Sequence, residues 1–301
     1  MTLHATISAR LLAVGLDPED TERVVRAALD EDLRYGPDVT SAATAAADAQ
    51  AVAGVVARES GVLAGLPVVL AVLDAVGIAP TAVLGSLGAE PLRADGDRID
   101  AGTEVLRIRA PLRELLGAER TLLNFLTHLS GIATATRAWA DALSGTGCAV
   151  RDTRKTTPGL RQLEKYAVRC GGGVNHRMGL GDAALIKDNH VAAAGGVAKA
   201  IAAIRERAPQ VPLEVECDTL AEVRESLEAG ARFILLDNMS TDELRAAVAV
   251  ARQYPRVRLE ASGGLRLETA RDVALCGVDY LAVGALTHSS PALDLGLDFT
   301  D

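Results

Sequence analysis

The sequence predicts an α/β protein made of a small, sheet-rich N-terminal part and an incomplete (β/α) barrel. Between Gln50 and Arg109, short runs of Val, Leu and Ile alternate with Gly and Asp, which is typical of a small, largely antiparallel sheet. From Cys148 onwards, short hydrophobic runs alternate with helix-like segments, which indicates βα units and a parallel sheet.

The N-terminal part contains a helix predicted over residues 18–34, which Asp17 can cap and in which Pro18 takes the first position. In the sheet region, the piece DGDRIDAGTEVLRIRAP resembles the hairpin of a lipoyl or biotinyl carrier. Such a carrier needs an acceptor lysine at its turn, and no lysine precedes Lys155. We therefore interpret this hairpin as structural.

A long helical stretch over residues 111–143, broken or kinked near Ser130–Gly131, leads into the barrel. The predicted barrel strands cover residues 148–152, 184–187, 211–216, 232–237, 256–261 and 278–284. The helix-like segments between them are residues 191–208, 219–229, 240–253 and 268–275. Six or seven such repeats favour an incomplete barrel, since the full eight repeats usually take ~250 residues.

Each predicted barrel strand ends on polar or small residues. Because the carboxyl ends of parallel barrel strands open onto one face, these residues should converge on one mouth. In chain order the strand ends are Arg154–Lys155, Lys187, Glu216, Asp237, Ser262–Gly263–Gly264 and Gly284. The glycines allow backbone N–H groups to approach a phosphate closely, although tight turns also need glycine. The two acids suit sugar hydroxyls or a divalent cation, directly or through water, and the alternative is a structural ion pair with nearby cations.

A cationic segment, defined here as residues 151–190, stands out from an acidic chain. It holds eight Lys and Arg against four Asp and Glu, so it carries +4 while the rest of the chain carries −13 of a total of −9. It also holds Lys155, Lys165 and Lys187, three of the four lysines in the chain, although a chance cluster on a solvated face is the alternative for Lys165. These features predict a pocket for a small, multiply negative ligand.

The composition excludes several other classes of function. A pI of about 5.2 argues against nucleic acid as a partner, because nucleic acid requires a broad basic face. No apolar run approaches the ~20 residues that span a bilayer, and the N-terminus lacks the pattern of a signal peptide. Four scattered cysteines without a C-x-x-C pair indicate reduced thiols and a cytoplasmic protein without zinc or disulfides.

Two further motifs do not carry the function that they suggest. GLGDAA at residues 179–184 matches a dinucleotide fingerprint, but a strand follows it where a helix is required. ILLDNMST has Asp237–Asn238 in place of the paired acids of Rossmann-like phosphoribosyltransferases.

The cationic segment RDTRKTTPGLRQLEKYAVRCGGGVNHRMGLGDAALIKDNH resembles the signature of the quinolinate phosphoribosyltransferase family. ERTLLNFLTHLSGIATATR, LEVECDT, LLDNM, EASGG and DYLAVGALTHS extend the resemblance in the expected order, over residues 110–290. It implies the fold of the type II phosphoribosyltransferases, an N-terminal α/β sandwich domain plus an incomplete (β/α) barrel. The sandwich would comprise residues 1–120 completed by the tail 288–301, and the barrel residues 121–287.

The resemblance also implies a reaction. Quinolinate and phosphoribosyl diphosphate would give nicotinate mononucleotide, pyrophosphate and carbon dioxide, with Mg²⁺, in the biosynthesis of NAD. It further implies a homodimer with shared active sites, or a larger assembly of the same chain, with no nucleic acid or membrane as a partner.

Individual roles follow from the matched positions. The residues expected to bind quinolinate are Thr153, Arg154, His176, Arg177, Lys187 and, from the neighbouring subunit, Arg120. The residues expected to bind phosphoribosyl diphosphate are Lys155, Glu216, Asp237, Ser262, Gly263, Gly264, Gly284 and Ala285. The acids Glu216 and Asp237 are also expected to hold Mg²⁺, and together with Lys155 and Lys187 they form the catalytic set.

Three rival functions remain on the sequence alone. A related transferase acting on nicotinate would need fewer cations than Arg154 and His176–Arg177 provide. A non-catalytic protein that binds a phosphorylated metabolite would have no need for both Glu216 and Asp237. A barrel aldolase would use Lys187 as a Schiff base, which borohydride would trap.

Overall fold

The computed structural model describes residues 3–79 and 88–300. The helices are α1 (Ala5–Ala13), α2 (Pro18–Leu33), α3 (Val39–Thr44), α4 (Leu66–Ala75), α5 (Leu112–Ala142), α6 (Arg161–Cys170), α7 (Asp188–Ala194), α8 (Val197–Arg207), α9 (Leu220–Glu228), α10 (Thr241–Ala251), α11 (Ala270–Ala274) and α12 (Ala285–His288). The strands are β1 (Gln50–Ala57), β2 (Gly61–Val62), β3 (Gly88–Pro91), β4 (Arg98–Ile99), β5 (Glu104–Pro111), β6 (Ala149–Arg151), β7 (Ala184–Ile186), β8 (Leu213–Cys217), β9 (Phe233–Asp237), β10 (Arg258–Ser262), β11 (Tyr280–Ala282) and β12 (Leu295–Phe299).

The chain divides into two compact units. The first comprises Met1–Ala135, Thr157–Gly172 and Ser289–Asp301, and the second comprises Thr136–Thr156 and Gly173–His288. This division differs from the boundary predicted at residues 120–121, which falls inside the continuous helix α5. It also places α6, which the sequence pattern did not predict, in the first unit.

The first unit contains an antiparallel sheet with the strand order β12-β1-β5-β3. The C-terminal strand β12 pairs along β1, with Ala53 opposite Phe299 and Ala57 opposite Leu295. Helices α1 and α2 pack against α4, whose apolar side chains are almost all buried. Helix α2 begins at Pro18, and the Asp17 carboxylate accepts a hydrogen bond from the Glu19 N–H, as predicted.

Of the two predicted alternatives near Ser130–Gly131, a break or a kink, the break is wrong, because helix α5 runs through these residues without interruption. The glycine serves a different purpose, because a Cβ at residue 131 would collide with the backbone carbonyl of Pro291. The Ser130 hydroxyl donates a hydrogen bond to the Ala64 carbonyl instead of opening the helix. Small residues here permit close packing within the first unit.

The second unit is built on six parallel strands in the order β6-β11-β10-β9-β8-β7. All six strands lie within the segments predicted from the sequence, apart from one residue at the ends of β8 and β10. Among the described residues β6 and β7 do not pair with each other, so the sheet forms an incomplete barrel. The single helix predicted over 191–208 is two helices, because Gly195 and Gly196 take positive φ angles between α7 and α8.

Within the described residues, no helix combines the length and the apolar character that a membrane crossing requires.

Candidate active site

A cavity of about 560 Å³ lies within the second unit, at the carboxyl ends of the parallel strands. Of the residues predicted to form the site, all but Arg120 line it: Thr153, Arg154, Lys155, His176, Arg177, Lys187, Glu216, Asp237, Ser262, Gly263, Gly264, Gly284 and Ala285. These side chains come from every strand of the barrel, so the predicted convergence on one mouth is confirmed.

The loop after β6 is held by its own polar groups. The Thr153 hydroxyl accepts a hydrogen bond from the Lys155 N–H at 3.0 Å. The Lys155 carbonyl in turn accepts one from the Thr287 hydroxyl at 2.7 Å. This loop therefore has a fixed path, which leaves the Lys155 side chain to lie beside Gly284, where an added Cβ would be 2.7 Å from Lys155 Cδ.

His176 is held on both ring nitrogens by protein groups. Its Nδ1 accepts the Arg177 N–H at 2.8 Å, so its Nε2 carries the hydrogen and donates to Glu214 Oε2 at 2.7 Å. Its backbone N–H donates to the fully buried Asp152 carboxylate at 2.8 Å. His176 therefore presents a fixed ring to the cavity, and its N–H is directed towards Glu214.

Arg154 and Arg177 form a half-buried cationic pair. The pKa of Arg177 is lowered, mainly because burial disfavours its charge and also because Arg154 is close. The Nε atoms of both guanidinium groups are buried and have no hydrogen-bond partner among the described residues. Two adjacent cations with free, desolvated donors are suited to a ligand that carries more than one negative charge.

The acids at the strand ends differ in their surroundings. Glu216 forms an ion pair with Lys187, which is the alternative that the sequence left open for one of the two acids. Asp237 accepts a hydrogen bond of 2.6 Å from the Asn238 side-chain amide. Lys187 remains 44% exposed on its side chain, so the pair can rearrange when a ligand enters.

The turn after β10 brings backbone close to the cavity. Gly263 and Gly264 have φ angles of 90° and 58°, in the region that favours glycine. A Cβ at residue 263 would collide with the Asn238 side chain, and the Asn238 N–H donates to the Ser262 carbonyl at 2.9 Å. Glycine is required here both by the backbone angles and by the close neighbour.

Three charged residues of the site were missed by the sequence reasoning. Arg151 Nη1 donates to Glu260 Oε2 at 2.6 Å, and its guanidinium lies 4.9 Å from the ring centres of both Phe233 and Tyr280. Glu214 and Glu260 are buried, and desolvation raises the pKa of each to about 7. The sequence did contain a signal for the two acids. In LEVE and LEAS, a glutamate lies inside an apolar strand, two residues before a predicted site residue.

Two other expectations fall outside the cavity. Arg120 is exposed on the part of α5 that belongs to the first unit. Lys165 is fully buried in α6, also in the first unit, and does not line the cavity. The persistence of lysine in an arginine-rich chain therefore pointed correctly to Lys155 and Lys187 only.

Comparison with known proteins agrees over nearly the whole chain. The model of the quinolinate phosphoribosyl transferase N-terminal domain matches residues 38–130, and that of the C-terminal domain matches residues 132–298. The nicotinate-nucleotide pyrophosphorylase (carboxylating) of Mycobacterium leprae is 53% identical over 278 residues, which are 91% of this chain and 95% of that protein.

Solved structures show the same similarity. NadC from Streptococcus pyogenes has 42% identity and a TM-score of 0.86, with 95% of this chain and 99% of that chain covered. The nicotinate-nucleotide pyrophosphorylase from Francisella tularensis has 35% identity and a TM-score of 0.85, with 94% and 96% covered. With both domain models matched in order and these identities, the chain belongs to the quinolinate phosphoribosyltransferase family.

Proposed function

We propose that the protein transfers the phosphoribosyl group of phosphoribosyl diphosphate to quinolinate, with loss of carbon dioxide, to give nicotinate mononucleotide in NAD biosynthesis. The observation that carries this proposal is the half-buried pair Arg154 and Arg177, whose Nε atoms have no hydrogen-bond partner among the described residues and whose side chains line the same cavity as Glu216 and Asp237. The names of the relatives, which are carboxylating pyrophosphorylases and decarboxylating transferases, support the same reaction.

Quinolinate carries two adjacent carboxylates, and each can accept a pair of hydrogen bonds from one guanidinium fork. Arg154 and Arg177 would bind these carboxylates, with Thr153 and Lys187 completing the subsite. His176 would act there through its fixed ring and through Arg177, since both its nitrogens are engaged. A monoacid such as nicotinate would leave one buried cation without a counter-ion, which disfavours the nicotinate-specific rival.

Phosphoribosyl diphosphate would lie between the acids and the glycine turns. The backbone at Ser262, Gly263 and Gly264, with Gly284 and Ala285, leaves room for the 5′-phosphate. Glu216 and Asp237 would accept hydrogen bonds from the ribose hydroxyls, and Lys155 would neutralise part of the pyrophosphate charge. Membership of a transferase family disfavours the aldolase rival, in which Lys187 would form a Schiff base.

The same two acids fit Mg²⁺, since carboxylate oxygens are the ligands that this ion prefers and both line the cavity. Asp237 Oδ1 has no hydrogen bond among the described groups that would prevent coordination, directly or through water. When bound, Mg²⁺ would supply charge neutralisation on pyrophosphate as it leaves.

The chain's own groups would then assist each stage. Positive charge that develops on the ribose as pyrophosphate departs would be stabilised by Glu216 and Asp237. Arg154 and Arg177 would orient the quinolinate ring so that its nitrogen faces the ribose C1. Ring nitrogen ribosylation creates a pyridinium, whose positive charge stabilises the electron pair left on the neighbouring ring carbon when its carboxyl group departs as carbon dioxide.

We extend the proposal to the assembly and the compartment. Arg120, exposed on α5, would complete the quinolinate subsite of a second copy in a homodimer, and a larger assembly of the same chain is compatible with this. A cytoplasmic location suits the cysteines, since all four lie in the described residues and none of these forms a disulfide there.

The test is an activity assay with purified protein, Mg²⁺ and phosphoribosyl diphosphate, in which nicotinate mononucleotide is followed with quinolinate or nicotinate as the acceptor. Product from quinolinate with release of carbon dioxide, and none from nicotinate, is the expected result. Product from nicotinate at an equal or higher rate would refute the assignment of the acceptor. Mixing inactive Arg120→Ala with inactive Arg177→Ala should restore part of the activity if sites are shared between subunits, and no recovery would refute that part.

A further inference from the structure

Four charged or polar side chains form a buried cluster inside the barrel, below the strand ends: Arg151, His176, Glu214 and Glu260. Arg151 binds Glu260 at 2.6 Å, and His176 donates to Glu214 at 2.7 Å. His176 Nε2 also lies 3.8 Å from Glu260 Oε1, so the imidazole is close to both carboxylates.

Glu260 differs from Glu214 in one respect that bears on chemistry. Both carboxylates have an Oε1 atom that is buried and lacks a hydrogen-bond partner among the described residues. Only Glu260 lines the cavity, in the same wall as Arg177 and Ser262. Glu260 is fully buried, so its unpartnered oxygen is shielded from bulk water within the cavity wall.

The proposed reaction, on which this inference rests, needs a proton at a buried carbon. When the bond between ring carbon C2 and its carboxyl carbon breaks, carbon dioxide leaves and the electron pair stays on C2. That carbon must then gain a hydrogen to become nicotinate mononucleotide. We propose that Glu260 supplies this proton from Oε1. The step forms the C2–H bond and leaves Glu260 as a carboxylate, which regains a proton from water after the product leaves.

The other acids and bases lining the cavity are less suited to this step. The His176 N–H is already donated to Glu214, and the Lys187 ammonium is paired with Glu216. Lys155 is exposed, so it lies where solvent competes for its protons. Glu260 is the carboxyl group in the cavity wall that combines full burial with an unpartnered oxygen among the described residues.

The protonation state of Glu260 at neutral pH agrees with this role. Burial is the main reason that its pKa is raised to about 7, Glu214 adds to the rise, and Arg151 and His176 oppose it. The charged or titratable groups that face it are Arg151 from β6, Glu214 from β8 and His176, with Tyr280 opposite it on β11. A substantial fraction of Glu260 is therefore protonated when the enzyme works.

A metal ion is a weaker explanation of this cluster. The donor atoms of His176, Glu214 and Glu260 lie within 4.8 Å of one another, which is close enough for a shared ion. The Arg151 guanidinium, however, already donates to Glu260 Oε2 at 2.6 Å. A divalent cation there would stand beside an existing positive charge, which disfavours its binding.

The test compares two products in a single turnover. Wild type and Glu260→Gln, each in excess over phosphoribosyl diphosphate, are mixed with saturating quinolinate and Mg²⁺, and pyrophosphate and nicotinate mononucleotide are measured separately after rapid quenching. Glutamine keeps the shape and can still accept from Arg151, so pyrophosphate should form within about twofold of the wild-type rate. Nicotinate mononucleotide should form about 100-fold more slowly, which is the usual contribution of a positioned general acid, and the carboxylated mononucleotide should accumulate.

Two further variants separate proton donation from a structural role. Glu214→Gln removes a buried acid of the cluster that does not line the cavity and that adds to the raised pKa of Glu260, so the second product should still form, with its fall beginning at a lower pH than in wild type. Glu260→Asp retains an acidic proton, so it should form nicotinate mononucleotide at least about tenfold faster than Glu260→Gln does. The wild-type rate of the second step should also fall as the pH rises above about 7, and this fall should be absent in Glu260→Gln.

Each contrary result has a distinct meaning. Equal slowing of both products in Glu260→Gln, or a normal rate of the second product, would overturn the role of Glu260 while leaving the transferase intact. Equal rates for Glu260→Asp and Glu260→Gln would do the same. Absence of nicotinate mononucleotide with the wild-type protein would instead overturn the proposed function, and the Glu260 inference with it.

Discussion

Replacing Arg177 should abolish most of the activity while leaving the stability of the protein almost unchanged. Arg177 lies beside Arg154 in a desolvated wall, and the lowered pKa of Arg177 indicates that its charge is unfavourable there without a ligand. The Arg177 guanidinium donates a hydrogen bond from Nη1 to the Ala183 carbonyl at 2.9 Å. Arg177→Ala would lose about 1 kcal/mol with that bond, and relief of the repulsion from Arg154 would offset part of this loss.

The effect on catalysis should be much larger. Removing one partner of a desolvated, bidentate charge pair costs about 3–4 kcal/mol, which corresponds to a 100- to 1000-fold fall in kcat/KM for quinolinate. Arg177→Lys retains the charge but lacks the planar fork, so its kcat/KM for quinolinate should lie between the values of wild type and Arg177→Ala. Arg245→Ala is the matched control, since Arg245 is an exposed arginine that pairs only with Asp242 on its own helix among the described groups.

Steady-state kinetics and chemical denaturation together test this reasoning. The free energy of unfolding of Arg177→Ala should lie within about 1 kcal/mol of the wild-type value. Quinolinate at 100 times its wild-type Kd should stabilise the wild-type protein by about 2.7 kcal/mol, and it should hardly affect the variant. An unchanged kcat/KM would refute the ligand role of Arg177. A loss of stability above about 3 kcal/mol would show that the residue is structural instead.

Three further perturbations follow from the same geometry. Asp237→Asn should raise KM for phosphoribosyl diphosphate at least tenfold more than KM for quinolinate, and equal increases in steady-state kinetics would contradict the assigned subsites. Gly263→Ala should lower the unfolding free energy by about 1–3 kcal/mol, because φ is 90° and the Asn238 side chain occupies the space for a Cβ; an unchanged denaturation midpoint would count against the strain. For Glu260, a folded-state pKa of about 7 against 4.5 means that the folded protein binds more protons between these values, so this residue's contribution to stability falls as the pH rises from 4.5 to 7. Relative to wild type, Glu260→Gln should therefore gain about 1–3 kcal/mol of unfolding free energy across that window, and parallel stability curves for the two proteins would exclude the raised pKa.

The sequence predicted the barrel well because its signals are local. Each parallel strand is a short apolar run that ends on a polar or small residue, and Lys187, Glu216 and Asp237 all lie at or just beyond such ends. The α5 prediction failed because glycine in a helix was interpreted as a break. In the structure Gly131 is required by a neighbour 160 residues away in the chain, Pro291, and no local pattern contains that contact.

The cluster below the strand ends was not predicted for a related reason. Glu214 and Glu260 interrupt apolar strands, and each is two residues before a residue that was chosen, so each shares a face of its strand with that residue. Polar residues at a strand end are expected in any barrel enzyme, whereas the role of a polar residue inside a strand can be inferred only when the side chain that it contacts is known. The partners, Arg151 and His176, come from distant parts of the chain.

The two charge clusters of the second unit violate the rule that buried charges are paired, and they do so in opposite senses. Arg154 and Arg177 are adjacent cations whose Nε atoms have no hydrogen-bond partner among the described residues, and Glu214 and Glu260 are buried acids, the pKa of each of which burial raises to about 7. A fold selected for stability alone would have no use for either arrangement, because unpaired buried charge destabilises the native state. Each arrangement would suit one need of the proposed decarboxylating transfer: adjacent cations would bind a dianion, and a buried acid would retain a proton away from bulk water. The cationic cluster was visible in the sequence as net charge, whereas the acidic cluster became visible only when the strands were assembled.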